Sequence, residues 1–195
     1  VVKGRPQDHP LIVHIANIDQ LHHVAIDIHP DAIKLALACW PGPLTLLLQR
    51  SQNVSMSITG GRVTVAVRIP DNAFTRQLII NLGSPIAAPS ANRFGKVSPT
   101  TAQHVCDDLQ NDVDLIVDDG ASSVGVESTI VDFSVSPPQL LRPGGIPVED
   151  IEKILGYSIQ CTDGVSRASG MLQNHYQPSC KVLLVHTDKE AQQLQ

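Results

Sequence analysis

Two rhythms of apolar residues run along the chain. Strand-length apolar runs, bounded by Gly, Pro, Asn or Asp, predict strands over residues 11–15 (LIVHI), 44–48 (LTLLL), 63–69 (VTVAVRI) and 85–88 (PIAA). Three more follow at 114–117, 127–133 and 139–142, the last two separated by Ser136-Pro137-Pro138. Apolar residues at helical spacing lie between them. Asn17 caps a short helix through Leu21, and Pro30 opens a longer one in which Ile33, Leu37 and Trp40 share a face before Pro41 stops it. Phe74, Leu78, Ile79 and Leu82 line one side of a helix over 71–82, with Gly83 as its C-terminal signal. Ala102, Val105, Cys106 and Leu109 recur at i, i+3, i+4 and i+7, behind Ser98 as N-cap and Pro99 as first helical residue. Val148, Ile151, Ile154 and Leu155 make the last such face, over 147–155, closed by Gly156.

Strands and helices interleave without a strict βαβ rhythm, which predicts a mixed α/β fold: a mixed sheet flanked by helices rather than a purely parallel one. After residue 158 the composition turns polar, rich in Ser, Gly, Gln and Asn, and 159–178 reads as a linker. Lys181-Val182-Leu183-Leu184-Val185 then starts a second unit, so the expected division is 1–158, 159–178 and 179–195. The chain opens on Val1-Val2-Lys3-Gly4-Arg5-Pro6, which reads as mid-domain sequence, and 187–195 stops within a helical pattern. Both ends are expected to be cut.

Composition narrows the class. Aromatic residues are only 3% of the 195, so the core must be Ile, Val, Leu and Ala. No apolar run approaches the ~20 residues of a membrane helix. Cys39, Cys106, Cys161 and Cys180 are far apart with no C-x-x-C, and the first two fall on apolar helical faces. They are expected to be buried free thiols in a reducing, cytoplasmic compartment. A net charge of −5 argues against a protein that coats nucleic acid, though not against a local basic groove.

The polar chemistry concentrates in the loop 89–101, PSANRFGKVSPTT, between a short strand and a helix start. Hydroxyls, amides and Lys96 fixed at both ends suit a polar ligand, and a helix N-terminus facing it favours an anion. Lys3, Arg5, Arg68 and Arg142 each stand at a strand edge or Gly/Pro-rich turn rather than on a helix face. Singly, each is an ordinary surface charge; together, in an acidic chain, they suggest an anion site. His14 inside an apolar run reads as a core histidine. His22, His23 and His29 match no zinc spacing, and Asp118, Asp119 and Glu127 read as turn carboxylates with metal binding as the alternative. There is no G-x-S-x-G, no Walker sequence and no G-x-G-x-x-G. Any nucleotide site is therefore unconventional.

The stretches KGRP, PLIVHI, WPGPLTLLL, TVAVRIP, PIAAPSANRFGKVSPTTA, VGVESTIVDF and LLRPGGIP, taken in order, resemble the YrdC-like family, the threonylcarbamoyl-AMP synthases. The resemblance is collinear from Lys3 to about Tyr157. SGMLQNHYQP at 169–178 is similar to the segment that joins the catalytic domain to a small Rossmann-like domain in the longer, two-domain form. It implies a twisted mixed sheet around a positively lined concave cavity. The implied activity is a nucleotidyltransferase reaction of L-threonine, bicarbonate or CO₂, and ATP with Mg²⁺, giving threonylcarbamoyl-adenylate and pyrophosphate. A downstream transferase, as partner, then modifies tRNA.

Carried onto this sequence, the resemblance makes Lys3, Arg5, Ser90 and Asn92 the catalytic signature around the phosphates. It puts Arg5, His9, Thr64, Ser90, Ser98, Arg142 and Tyr176 at ATP, and His14, Arg68, Ala88 and Ser128 at threonine, with no set of protein metal ligands. His9 replaces the family's usual Asn, and Arg167-Ala168-Ser169-Gly170 replaces a Ser-Pro-Gly pattern. The family's P-T-E-T-x-Y-G-L segment does not precede Val1, and a protein starting there is expected to have little or no activity. Two alternatives stand beside this: a non-catalytic module binding double-stranded RNA or tRNA, and a synthase of another carbamoyl-adenylate.

Overall fold

The computed structural model describes residues 2–162. The linker beyond 162, Tyr176 and the strand expected at 181–185 lie outside the described residues.

Eight strands form one mixed sheet: β1 (Ile12–His14), β2 (Ala25–Ile26), β3 (Leu44–Arg50), β4 (Thr64–Arg68), β5 (Ile86–Ala88), β6 (Thr129–Asp132), β7 (Gln139–Arg142) and β8 (Gln160–Cys161). Their order is β5-β1-β4-β3-β6-β7-β8, with β2 paired to β3 off this path. Parallel pairs (β1 with β4, β3 with β6, β7 with β8) alternate with antiparallel ones, as the irregular rhythm of the sequence implies. Successive side chains of β3 and β6 point to opposite faces and are buried on both. Val131 and Leu46 join the main core, while Ile130 and Leu47 join a smaller cluster with Ala66 and Leu141.

Helices follow from caps that the chain supplies locally. After a short turn capped by Asn17, α1 is Leu21–Val24, and α2 is Pro30–Cys39, with the His29 ring accepting from the Asp31 amide. In α3 (Ala73–Leu82) the Asn72 side chain accepts from Thr75 N at 2.7 Å, and Gly83 ends the helix at φ +68°, a conformation that favours glycine. The remaining helices are α4 (Ala102–Leu109) and α5 (Val148–Leu155).

Four expectations are corrected. Helix α4 starts at Ala102 behind Thr101, because the Ser98 hydroxyl is taken by the Glu127 carboxylate and leaves Thr101 to accept from His104 N. Residues 114–117 form no strand: the run stays on the surface, with Leu115 78% exposed, and buries too little apolar side chain to be drawn into the sheet. The buried face of α2 is Ala32, Leu35 and Ala36, whose small side chains let it approach the core, while Leu37 faces out; on α3 only Ile79 is buried. Cys106 is exposed and Cys39 half-buried, so neither is the buried thiol that the helical spacing suggests. No helix among the described residues is long and apolar enough to cross a membrane.

Candidate functional site

Register across the sheet builds the site. His14 lies opposite Arg68 on one side and Ile86 on the other; Thr45 lies opposite Ile130, which lies opposite Arg142. Leu46 pairs with Val67, so the antiparallel ladder carries Thr45 to the level of Arg68. Side chains distant in sequence thus reach one end of the sheet. Ser128 immediately precedes β6 at this level. The turn after β7 closes on it: Gly145 N donates to Glu127 O at 2.9 Å, and a Cβ on Gly144 would meet Glu127 O at 2.4 Å. Only glycine fits there.

A cavity of about 990 Å³ opens at this end. Its lining includes Arg68, Ser90, Ser98, Ser128 and Arg142, with residues 116–117 and 119–127 on the far side. It adjoins a pit of about 50 Å³ lined by Lys3, Arg5, His9, Ala88 and Asn92, which shares Ser90, Glu127 and Arg142 with it. The larger space suits a sizeable small molecule; the pit has room for little more than water. The structure therefore brings together Lys3, Arg5, His9, Arg68, Ala88, Ser90, Asn92, Ser98, Ser128 and Arg142. His14 reaches the same level beside Arg68 but lines neither space. Thr64 stands apart, at the far end of β4 and about 13 Å from Arg68 by strand rise, and lines neither space either.

The cations are held in an unusual way. Lys3 Nζ donates to the carbonyls of Ser90 and Asn92, and Arg5 Nη1 to that of His9. Arg68 Nε donates to Gly42 O at 2.9 Å, and Arg142 forks onto Ser128 O through Nε (3.0 Å) and Nη2 (2.7 Å). Main-chain carbonyls hold Lys3, Arg5 and Arg68, while Arg142 also reaches the Ser128 hydroxyl at 2.9 Å. Glu127 lies 3.8 Å from Arg142, and among the described residues neither Lys3, Arg5 nor Arg68 pairs with a carboxylate. Their hydrogen-bond partners are neutral carbonyls. Burial pulls the Lys3 ammonium below its ordinary value, Asp108 opposing and Arg5 adding to the shift. Burial does the same to Arg68, against the carboxylates of Asp71 and Glu127. His14 is pushed down to about 4, first by burial and then by the Arg68 cation, and its buried Nδ1 has no hydrogen-bond partner of normal geometry.

Sequence reasoning missed Thr45, whose Oγ1 lies 2.7 Å from Ser128 Oγ in a fully buried pair; a lone hydroxyl in the apolar run LTLLL was the available signal. It also missed the tie between Asn72 Nδ2 and Asp119 Oδ2 (2.5 Å), which fastens the segment before β6 to the start of α3.

Fold and site define an α/β protein with a mixed sheet and, at one sheet end, a polar cavity into which Arg68 and Arg142 are brought. A family model named for Sua5, YciO and YrdC and described as "Telomere recombination" matches residues 1–144, and the chain belongs to that family. A second model, "Threonylcarbamoyl-AMP synthase, C-terminal domain", matches residues 146–195. Threonylcarbamoyl-AMP synthases of Pyrococcus abyssi and Bacillus subtilis are 47% and 43% identical over 96% of this chain, covering 57% and 56% of their own lengths. The crystal structure of P. abyssi Sua5 complexed with L-threonine superposes with a TM-score of 0.93 at 46% identity, over 99% of this chain and 59% of that one. The chain spans little more than half the length of these relatives.

Proposed function

We propose that this chain carries the catalytic unit of an L-threonylcarbamoyladenylate synthase. The observation that carries the reading is the convergence of Lys3, Arg5 and Arg68, each held by main-chain carbonyls, on the cavity and the pit beside it, a positive setting suited to anionic substrates. The identity to synthases and the threonine complex of the P. abyssi protein support the choice of substrates. In the reaction, the threonine amine captures CO₂ to give a carbamate. A carbamate oxygen then attacks the α-phosphorus of ATP, the bond to the bridging oxygen breaks, and pyrophosphate leaves. Both partners are anions, so catalysis consists of screening their repulsion and aligning them.

In this reading Arg68 and Ser128 hold threonine, with Ala88 and His14 beside them. Lys3, Arg5, Ser90 and Asn92 surround the phosphates, and His9, Ser98 and Arg142 complete the ATP side. Tyr176, outside the described residues, is assigned to the ATP side by the resemblance alone. A Mg²⁺ ion enters with ATP; such an ion commonly takes one or two protein carboxylates beside phosphate oxygens, and Glu127, next to Ser98 and Arg142, fits that part. The catalytic unit extends past the boundary expected at 158 to Ile159 in the core and β8 at Gln160–Cys161; the linker follows, up to 178, and a Rossmann-like unit is proposed to begin at 179–195. The product passes to a transferase acting on tRNA, in the cytoplasm. The RNA-binding alternative gains nothing from the site: beside the His9 ring, Phe94 is the one aromatic lining residue among those described, too little for base stacking. Calorimetric titration of the intact protein with threonine, in wild type and Arg68→Ala, tests the reading. Binding that is lost in the variant is expected; equal affinity would remove Arg68 from the threonine site.

A further inference from the structure

The residues around the pit are held by a loop, 90–96, with no helix or strand of its own; outside the pit Asp112 pairs with the Arg93 guanidinium at 2.6 Å, and Asp108 grips both the loop's backbone and Lys96. Asp108, on α4, accepts from the Arg93 amide at 2.6 Å through Oδ2 and from Lys96 Nζ at 2.5 Å through Oδ1. Its backbone carbonyl also takes Arg93 Nε at 3.2 Å. Inside the same turn, Asn92 Nδ2 donates to the carbonyls of Arg93 (3.0 Å) and Lys96 (2.9 Å). Phe94 N donates to Lys3 O at 2.8 Å, and Lys3 Nζ returns to the carbonyls of Ser90 and Asn92. Asp108, the turn, Asn92 and Lys3 therefore form one continuous chain of hydrogen bonds.

Asp108 sits in the last turn of α4, where the helix dipole disfavours a carboxylate. Helix stability does not explain it; the loop contacts do. They also hold its carboxyl below the ordinary carboxylate value, Lys96 contributing most and the Arg93 amide next. Its neighbour Asp107 is exposed and bonds only along the helix, to Gln103 Nε2 at 2.8 Å.

We infer that Asp108 is a positioning residue: its carboxylate sets the 90–96 turn, which Asn92 braces from within, and through it the carbonyls that aim the Lys3 ammonium at the phosphate end of the site. This rests on the ATP reading above for what the loop binds, but not for what holds the loop. Asp108→Ala removes the acceptor without altering any side chain that lines the pit. Roughly tenfold weaker Mg·ATP binding is expected, the loss of one hydrogen bond to a charged group being enough for that, with threonine affinity unchanged. Asp107→Ala is the control and should match wild type.

The experiment pairs two measurements on the intact protein: calorimetry with Mg·ATP and with threonine, and amide hydrogen exchange over 90–96 without ligand. Faster exchange in that turn with selectively weaker ATP binding is the expected result for Asp108→Ala. Unchanged exchange would overturn the inference, whatever the ligand is. Faster exchange with unaltered ATP affinity would overturn the functional part, and equal losses for ATP and threonine would reduce Asp108 to a structural residue. If wild type binds no ATP, the synthase reading fails and so does the phosphate role of Asp108, while exchange still judges its hold on the loop.

Discussion

His14 gives the protein an acid limb that can be measured. The ring is pushed from an ordinary value of 6.5 to about 4 by burial first and by the facing Arg68 cation second. The unfolded chain therefore takes up a proton near pH 6.5 that the folded protein refuses until about pH 4. Stability owed to this group is undiminished above pH 6.5, falls progressively between about 6.5 and 4, and changes no further below that. At 1.36 kcal/mol per unit the whole limb amounts to about 3 kcal/mol, with about 2 kcal/mol already lost at pH 5. His14→Gln keeps a neutral polar side chain and removes the titration. Urea unfolding of both proteins between pH 7.5 and 4.5 should show wild type losing about 2 kcal/mol more than the variant by pH 5. Carboxylates titrate alike in both and cancel in the difference. Parallel curves would refute a buried neutral imidazole beside Arg68.

Two further changes probe the closure behind the cavity. Gly144→Ala places a Cβ 2.4 Å from Glu127 O and 2.5 Å from Thr129 N; the backbone must part, with a loss of about 2 kcal/mol or more by thermal or urea unfolding, and an unchanged midpoint would contradict the packing. Arg142→Lys keeps the charge but loses the two-nitrogen fork onto Ser128 O. ATP affinity is expected to drop about tenfold with threonine affinity less affected, and full retention would show that a point charge suffices.

Much of the fold was legible because local signals and tertiary needs agreed. Gly83 marks the end of α3 in the sequence and in the structure alike, and the runs at 44–48 and 139–142 became β3, in the middle of the sheet, and β7, next to its edge. Where the signals failed, a longer-range contact had outbid a local one. Ser98 is a good N-cap by residue type, but Glu127, 29 residues away, holds its hydroxyl. Residues 114–117 have strand-like composition but lie exposed at the surface and pair with no strand among the described residues. The site itself was legible mainly through the resemblance, since residue types alone gave four scattered cations and a polar loop. What no sequence pattern disclosed is the way those cations are held: carbonyl partners leave no signature, and neither does the register that brings Thr45 to Ser128 or Asp108 to Arg93.

The most direct test of the synthase reading is pyrophosphate release from Mg·ATP by the intact protein, with threonine and bicarbonate each left out in turn and the nucleotide product weighed by mass spectrometry. Release that needs both, with a product of the mass of threonylcarbamoyl-adenylate, is the expected result. Release that ignores threonine, or ATP left intact with both present in the intact protein, would contradict it.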